Sequence, residues 1–214
     1  MEPFSETVDR RDKLVRAASY LIQRQGYART TLAEIAEAGG IPLGSVYYYF
    51  KTKDEVFVAI NQRRMESLRR LLVETADVAG PREGLEALIQ IWVRDKDIDA
   101  LYGCPLGSAC YELAKQRGAL IEEAAKPLRF LLQWAEDQFR RLGSAESAAA
   151  YALHLITVLQ GASLVANAFN DPKVILQETD HLKAWLESVA GPSPGERAAI
   201  QDADGAEKDP AASG

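Results

Sequence analysis

The 214-residue chain has little of what disulfide-built or metal-built proteins rely on, with 2 cysteines and 2 histidines in all. Cys104 and Cys110 cannot supply a disulfide framework, and His154 and His181 are too few for a histidine metal site. No apolar stretch follows a basic start, which argues against a signal peptide and leads us to expect a cytoplasmic protein. No β-branched run alternates with polar residues, so strands are not expected. Phosphate loops, nucleophile elbows, metal-binding helix motifs and paired histidine–carboxylate arrangements are also missing, so neither an enzyme nor a bound cofactor is expected.

What is present is an apolar fraction of 47%, ample for a core without staples. Prolines stand mostly at joints (Pro42, Pro81, Pro105, Pro127 and Pro172), and between them apolar residues recur at helical spacing. The expected fold is all-α, with roughly nine helices. The net charge of −6 is unevenly spread. Residues 1–70 hold 12 Lys and Arg against 9 Asp and Glu, a balance of +3; the remainder carries −9. Any polyanion would therefore be met by the first third.

Leu14, Ala18, Leu21 and Ile22 form one stripe on a helix expected over about residues 6–25, stopped by Gly26. Thr31 followed by Glu34 is a capping box opening a short second helix, which Gly39 and Gly40 break. Pro42 suits the first turn of a third helix ending near Phe50. A long rod follows from Lys53 to Leu72, with Val56, Phe57, Ile60, Leu68 and Leu71 apolar and Arg63, Arg64, Arg69 and Arg70 solvated. Further helices are expected at about 82–97, 106–117, 119–142, 145–170 and 173–189. The domains so defined are 1–52, a helix-turn-helix head; 53–190, a body whose segment 53–72 is the connecting rod; and 191–214, an acidic tail too poor in apolar residues to fold.

Three short helices with a glycine turn between the second and third are the recipe for a helix-turn-helix, whose third helix enters the major groove. On that helix Val46 and Phe50 face inward, toward Ile35 and Leu21, leaving Tyr47, Tyr48 and Tyr49 outside or at the edge. Phenolic hydroxyls donate to phosphates, rings touch thymine methyls, and Gly44 admits a close duplex backbone. Lys53 adds a charge beside a helix N-terminus.

The stretch Thr31-Leu32-Ala33-Glu34-Ile35-Ala36-Glu37-Ala38-Gly39, then Gly44-Ser45-Val46-Tyr47-Tyr48-Tyr49-Phe50-Lys51-Thr52-Lys53, resembles the N-terminal signature of TetR-family regulators. Gly103-Cys104-Pro105-Leu106-Gly107-Ser108, with Glu112-Leu113, resembles a stretch in one branch of that family. The resemblance implies phosphate contacts from Thr31, Tyr47, Tyr49 and Lys53, and base-edge contacts near Leu43, Gly44, Ser45 and Tyr48. Leu43 departs from the polar residue many members carry, implying a thymine-methyl contact there. The partners implied are double-stranded DNA with a pseudo-palindromic operator, a largely apolar small-molecule effector, and a second copy of the chain.

From Leu142 to Asn170 the only charged residue is Glu146. Its length would suit a bilayer, but His154, Thr157, Gln160, Ser163 and Asn167 are too many polar groups for lipid, and no membrane partner is expected. The expectation is instead a dimer seam of Leu155, Leu159, Ala162 and Ala166 with Leu182, Trp185 and Leu186. Trp92, Tyr102, Tyr111, Phe130, Trp134, Tyr151 and His154 are candidates to line an effector pocket. Cys104, at the start of a helix, is a candidate thiol sensor because a helix N-terminus favours thiolate. This gives a ligand-released repressor as the main reading, with a Cys104 redox or electrophile sensor, or a helical ligand-binding module without DNA binding, as alternatives.

Overall fold

Nine α-helices and no strand occupy the described residues of the computed structural model, which are 3–116 and 118–190, with side chains from residue 10 onward. The tail expected to be unfolded, 191–214, lies outside them. The head comprises α1 (Pro3–Gln25), α2 (Leu32–Ala38) and α3 (Leu43–Tyr49). Gly26 ends α1 with φ +86°, a left-handed conformation that glycine adopts without a Cβ clash. Thr31 caps α2 as expected: the Glu34 backbone N–H donates to its hydroxyl oxygen (3.2 Å), and the Thr31 N–H donates to the Glu34 carboxylate (2.8 Å). These bonds hold the Glu34 carboxyl below its usual pKa.

Leu14, Ala18, Ile35, Val46 and Phe50 meet in the head core, completed by Val56, Ala59 and Ile60 from the first two turns of α4 (Lys53–Val78). The rod therefore belongs to the head as much as to the body. It also runs six residues beyond the expected Leu72, because Leu72 and Ala76 are fully buried in the body and their packing carries the helix on. The other helices are α5 (Pro81–Tyr102), α6 (Pro105–Gln116), α7 (Leu120–Arg141), α8 (Ala148–Phe169) and α9 (Lys173–Ala190). α5 exceeds its expected end at 97 and stops only where Gly103 takes φ +78°. Pro127 is not at a joint; it is buried inside α7.

The body core is built from Leu85, Leu88, Ile89, Leu131, Phe139, Leu155, Leu159, Ile175, Leu182 and Leu186, contributed by α5, α7, α8 and α9. Between head and body lies a small apolar joint of Tyr27, Phe57, Ala109, Leu113 and Ala124. α8 is long and apolar enough to cross a membrane by length and composition, yet Ala152, Leu155, Leu159, Ala162 and Ala166 are packed inside this bundle.

Candidate functional site

α3 buries Val46 alone among its own residues and turns the others outward or to the edge. Tyr48 is 74% exposed, Tyr47 46% and Leu43 41%. A Cβ at Gly44 would meet nothing within 4 Å, so its bare backbone faces open space. Ser45 and Tyr49 are half-buried, and the Tyr49 ring stands edge-on to Tyr48 at 5.0 Å. Arg11 lies over the Phe50 ring at 5.1 Å. The outcome is a narrow aromatic ridge carrying hydroxyls, with Lys51 folded back so that its ammonium donates to the Tyr47 carbonyl.

Two of the expected phosphate ligands are more committed than their sequence suggests. The Thr31 hydroxyl donates to Glu34 (2.9 Å), so its proton is spent inside the capping box. Lys53 Nζ donates to the carbonyls of Tyr27 (2.7 Å) and Ala28 (3.2 Å) and sits 4.3 Å from the centre of the Tyr27 ring. Burial lowers its pKa below the ordinary lysine value. An ammonium has three N–H donors, so one remains available.

That α1–α2 turn is also held from the body. Glu112 of α6 accepts the backbone N–H groups of Tyr27 (2.8 Å) and Ala28 (2.6 Å), while the Tyr27 hydroxyl donates to Asp54. Burial first, and then Asp54, raise the Tyr27 pKa well above the ordinary phenol value. A second tie joins α1 to the end of α5: the Arg24 guanidinium lies between the Tyr20 and Tyr102 rings, at 4.6 and 4.4 Å, and donates to the Tyr102 hydroxyl. Glu112 was legible only as part of the Gly103–Leu113 resemblance, and the structure supplies reasons for that motif. Gly103 needs its positive φ, and a Cβ on Gly107 would stand 2.4 Å from Gln160 Oε1 of α8.

The other end of α6 walls a cavity of about 400 Å³. Arg64, Leu68 and Leu71 of α4, Ile91, Trp92 and Asp99 of α5, Leu131 of α7, and Cys104 with Leu106 line it, and it is partly open to solvent. A smaller cleft of about 150 Å³, bordered by Arg24, Tyr102 and Glu112, lies at the joint, and Arg64 borders both. In the larger cavity the Trp92 indole N–H donates to Ser163 Oγ (2.9 Å), whose hydroxyl donates to Asp99 (2.9 Å). Burial outweighs the Ser163 hydrogen bond and pushes the Asp99 carboxyl up to about 6. Three of the five polar residues of α8 that argued against lipid are explained here: Gln160 donates to Cys104 Sγ (3.4 Å) and Asn167 to the Ala100 carbonyl (3.1 Å), in a row with Ser163, whereas His154 and Thr157 are exposed.

Of the expected pocket residues, Trp92 lines the larger cavity and Tyr102 the smaller. The others do not line either one. Tyr111 is 69% exposed, under the Lys115 ammonium. Phe130 packs at the edge of the body core, and Trp134 is buried within it. Tyr151 joins Phe139 and Trp185 in an aromatic cluster, and His154 is exposed, with its ring 4.7 Å from Trp185. Most of these aromatic residues pack in or against the core or stand on the surface, and apart from Trp92 the cavity wall is aliphatic and charged.

The expected dimer residues need correction too. Leu155, Leu159, Ala162, Ala166, Leu182 and Leu186 are all buried in the protomer's own core, and Trp185 is half-buried. The face α8 presents outward is instead Leu153, Thr157, Gly161, Leu164 and Ala168, flanked by Val165 and Phe169. Arg64, expected to be solvated, is partly buried at the cavity wall. Cys104 stands at the helix start as expected, but burial pushes its thiol pKa up despite the backbone N–H groups of Leu106 and Gly107, so the thiolate argument fails.

A capped α2, a glycine turn and an outward aromatic α3, tied to a helical body with a partly open cavity, define a helix-turn-helix transcriptional regulator. The family described as bacterial regulatory proteins, tetR family, matches residues 14–60, so this stretch is a TetR-type DNA-binding domain. It is 27% identical over 177 residues to the HTH-type transcriptional regulator LmrA of Bacillus subtilis, covering 80% of this chain and 87% of that one. Among solved structures, a TetR transcriptional regulator from Legionella pneumophila superposes with TM-score 0.70 at 18% identity, covering 80% of this chain and 94% of that one. The TetR-family regulator SCO4454 from Streptomyces coelicolor gives 0.71 at 16%, covering 86% and 97%.

Proposed function

We propose that the protein is a homodimeric repressor that a small molecule releases from a pseudo-palindromic operator. The observation that carries this reading is the placement of α6. Its first turn walls the 400 Å³ cavity while Glu112, two turns on, grips the α1–α2 turn of the head. A molecule that binds better when this wall is displaced shifts the population toward heads that no longer fit DNA, to the extent of its preference for that state. On the DNA side, Leu43, Gly44, Ser45 and Tyr48 meet base edges, and Tyr47, Tyr49 and the remaining Lys53 donor meet phosphate. Thr31 contributes chiefly by fixing the start of α2. A twofold axis at the exposed face of α8 sets two heads on successive major grooves, about 34–36 Å apart. Residues 1–52 act as the head and 53–190 as the body, with α4 shared.

The test is to select bound fragments from genomic DNA and titrate salt against the best one. Affinity for the selected site should fall steeply with salt while a preference over random DNA persists. Tyr47→Phe should weaken all sequences alike, whereas Leu43→Lys should change preference at one or two base pairs per half-site. Equal affinity for every sequence, or no effect of either substitution, would remove the reading.

A further inference from the structure

Resting on the effector-cavity reading above, we infer that the effector is an organic anion, an apolar body bearing one carboxylate-like group, held by Arg64. Arg64 lies in the middle of α4, partly buried, and lines the larger cavity, the smaller cleft and an open groove beside Arg16 and Arg63. Among the described residues it makes no hydrogen bond and no ion pair. No sealed side-chain nitrogen or oxygen in the described structure lacks a partner, so the unpartnered nitrogens of Arg64 are reached from the clefts this residue lines, the larger cavity among them. The other charged groups at this wall have partners of their own: Arg94 pairs with Asp95 at 2.8 Å, and Asp99 accepts a hydrogen bond from Ser163 at 2.9 Å. Burial lowers the Arg64 pKa from the ordinary value, but a guanidinium stays protonated at neutral pH.

A charge taken out of water without a counter-ion is costly, and a carboxylate entering the cavity removes that cost while the planar fork gives it two parallel N–H donors. Leu68, Leu71, Ile91, Trp92 and Leu131 supply an apolar wall for the remainder of such a molecule. The same residue borders the cleft shared with Arg24 and Glu112, so a ligand drawing the guanidinium one way disturbs the contacts that hold the head.

Three matched probes test this on the full chain: 2-naphthoate, 2-naphthalenemethanol and 2-naphthylmethylammonium, titrated by calorimetry. The naphthoate should bind about tenfold or more tighter than the alcohol, and the ammonium weakest. Arg64→Met should abolish the preference while keeping the alcohol's affinity, and Arg64→Lys should retain part of it. Because it removes a partly buried charge that has no ion-pair partner, Arg64→Met should melt at or above the parent's temperature without ligand. Equal binding of the three, no binding of any, a preference for the ammonium, or a marked drop in melting temperature would each overturn the inference. Operator binding is measured separately: naphthoate that binds through Arg64 without releasing DNA leaves the anion site standing and removes the inducer reading, whereas operator binding with no anion preference does the reverse.

Discussion

A carboxylate that accepts two backbone N–H groups from another part of the fold fastens a loop as a cap fastens a helix, and Glu112 does this to the α1–α2 turn. Glu112→Ala leaves two donors without their charged partner. Hydrogen bonds to charged groups contribute about 1.5–3 kcal/mol each, and partial exposure reduces that, so urea unfolding should show a loss of about 2 kcal/mol, with Glu112→Gln intermediate. Unchanged stability would mean the tie is not made in solution. At this scale the sequence was legible where local rules act. The Thr31–Glu34 box and the Gly26 stop depend on neighbours a few residues away and appear as expected. Glu112 and the commitment of Lys53 depend on partners tens of residues distant, and the place of Arg64 on a cavity formed with α5, α6 and α7, none of which spacing along one helix encodes.

At the scale of elements, α8 shows how polar residues on an apolar helix acquire partners. Gln160, Ser163 and Asn167 form a row facing the end of α5 and the start of α6, and Ser163 holds the buried Asp99. The Asp99 carboxyl titrates near 6 in the folded chain, above its ordinary value of 3.8. The folded state therefore binds this proton more tightly than the unfolded state does, and the Asp99 contribution to stability falls as pH rises from about 4 to about 6, then levels off. Asp99→Asn keeps an acceptor for Ser163 and removes the titration. Its stability relative to the parent should grow by up to about 3 kcal/mol across that window and stay constant above pH 7, as followed by urea melts at stepped pH. A constant difference throughout would show that Asp99 does not titrate there. All the helices were legible from period and punctuation. Their ends were less so: α4 and α5 overran because burial of Leu72, Ala76 and Ala100 rewards additional turns that no local signal announces.

For the whole molecule, the inward face of α8 was mistaken for the outward one, since a helix apolar nearly all round gives no phase by which to choose. The outward face carries Leu153, Leu164 and Phe169, 57%, 69% and 72% exposed in a single protomer. Leu164→Glu should leave the protomer folded, because the side chain is 69% exposed, and yield particles near 23.5 kDa by light scattering in place of the proposed dimer. Operator affinity should fall with it, since one head loses the other's contacts. A dimer persisting in that variant would place the seam elsewhere.

Anchoring both the cavity wall and the head on α6 has a reciprocal consequence. Under the proposed function, whatever factor an occupant subtracts from the grip on DNA, the operator must subtract from the grip on the occupant. Molecules parked on their sites would then be less sensitive than those adrift in the cell, and the concentration at which genes switch would lie above the dissociation constant measured on protein alone.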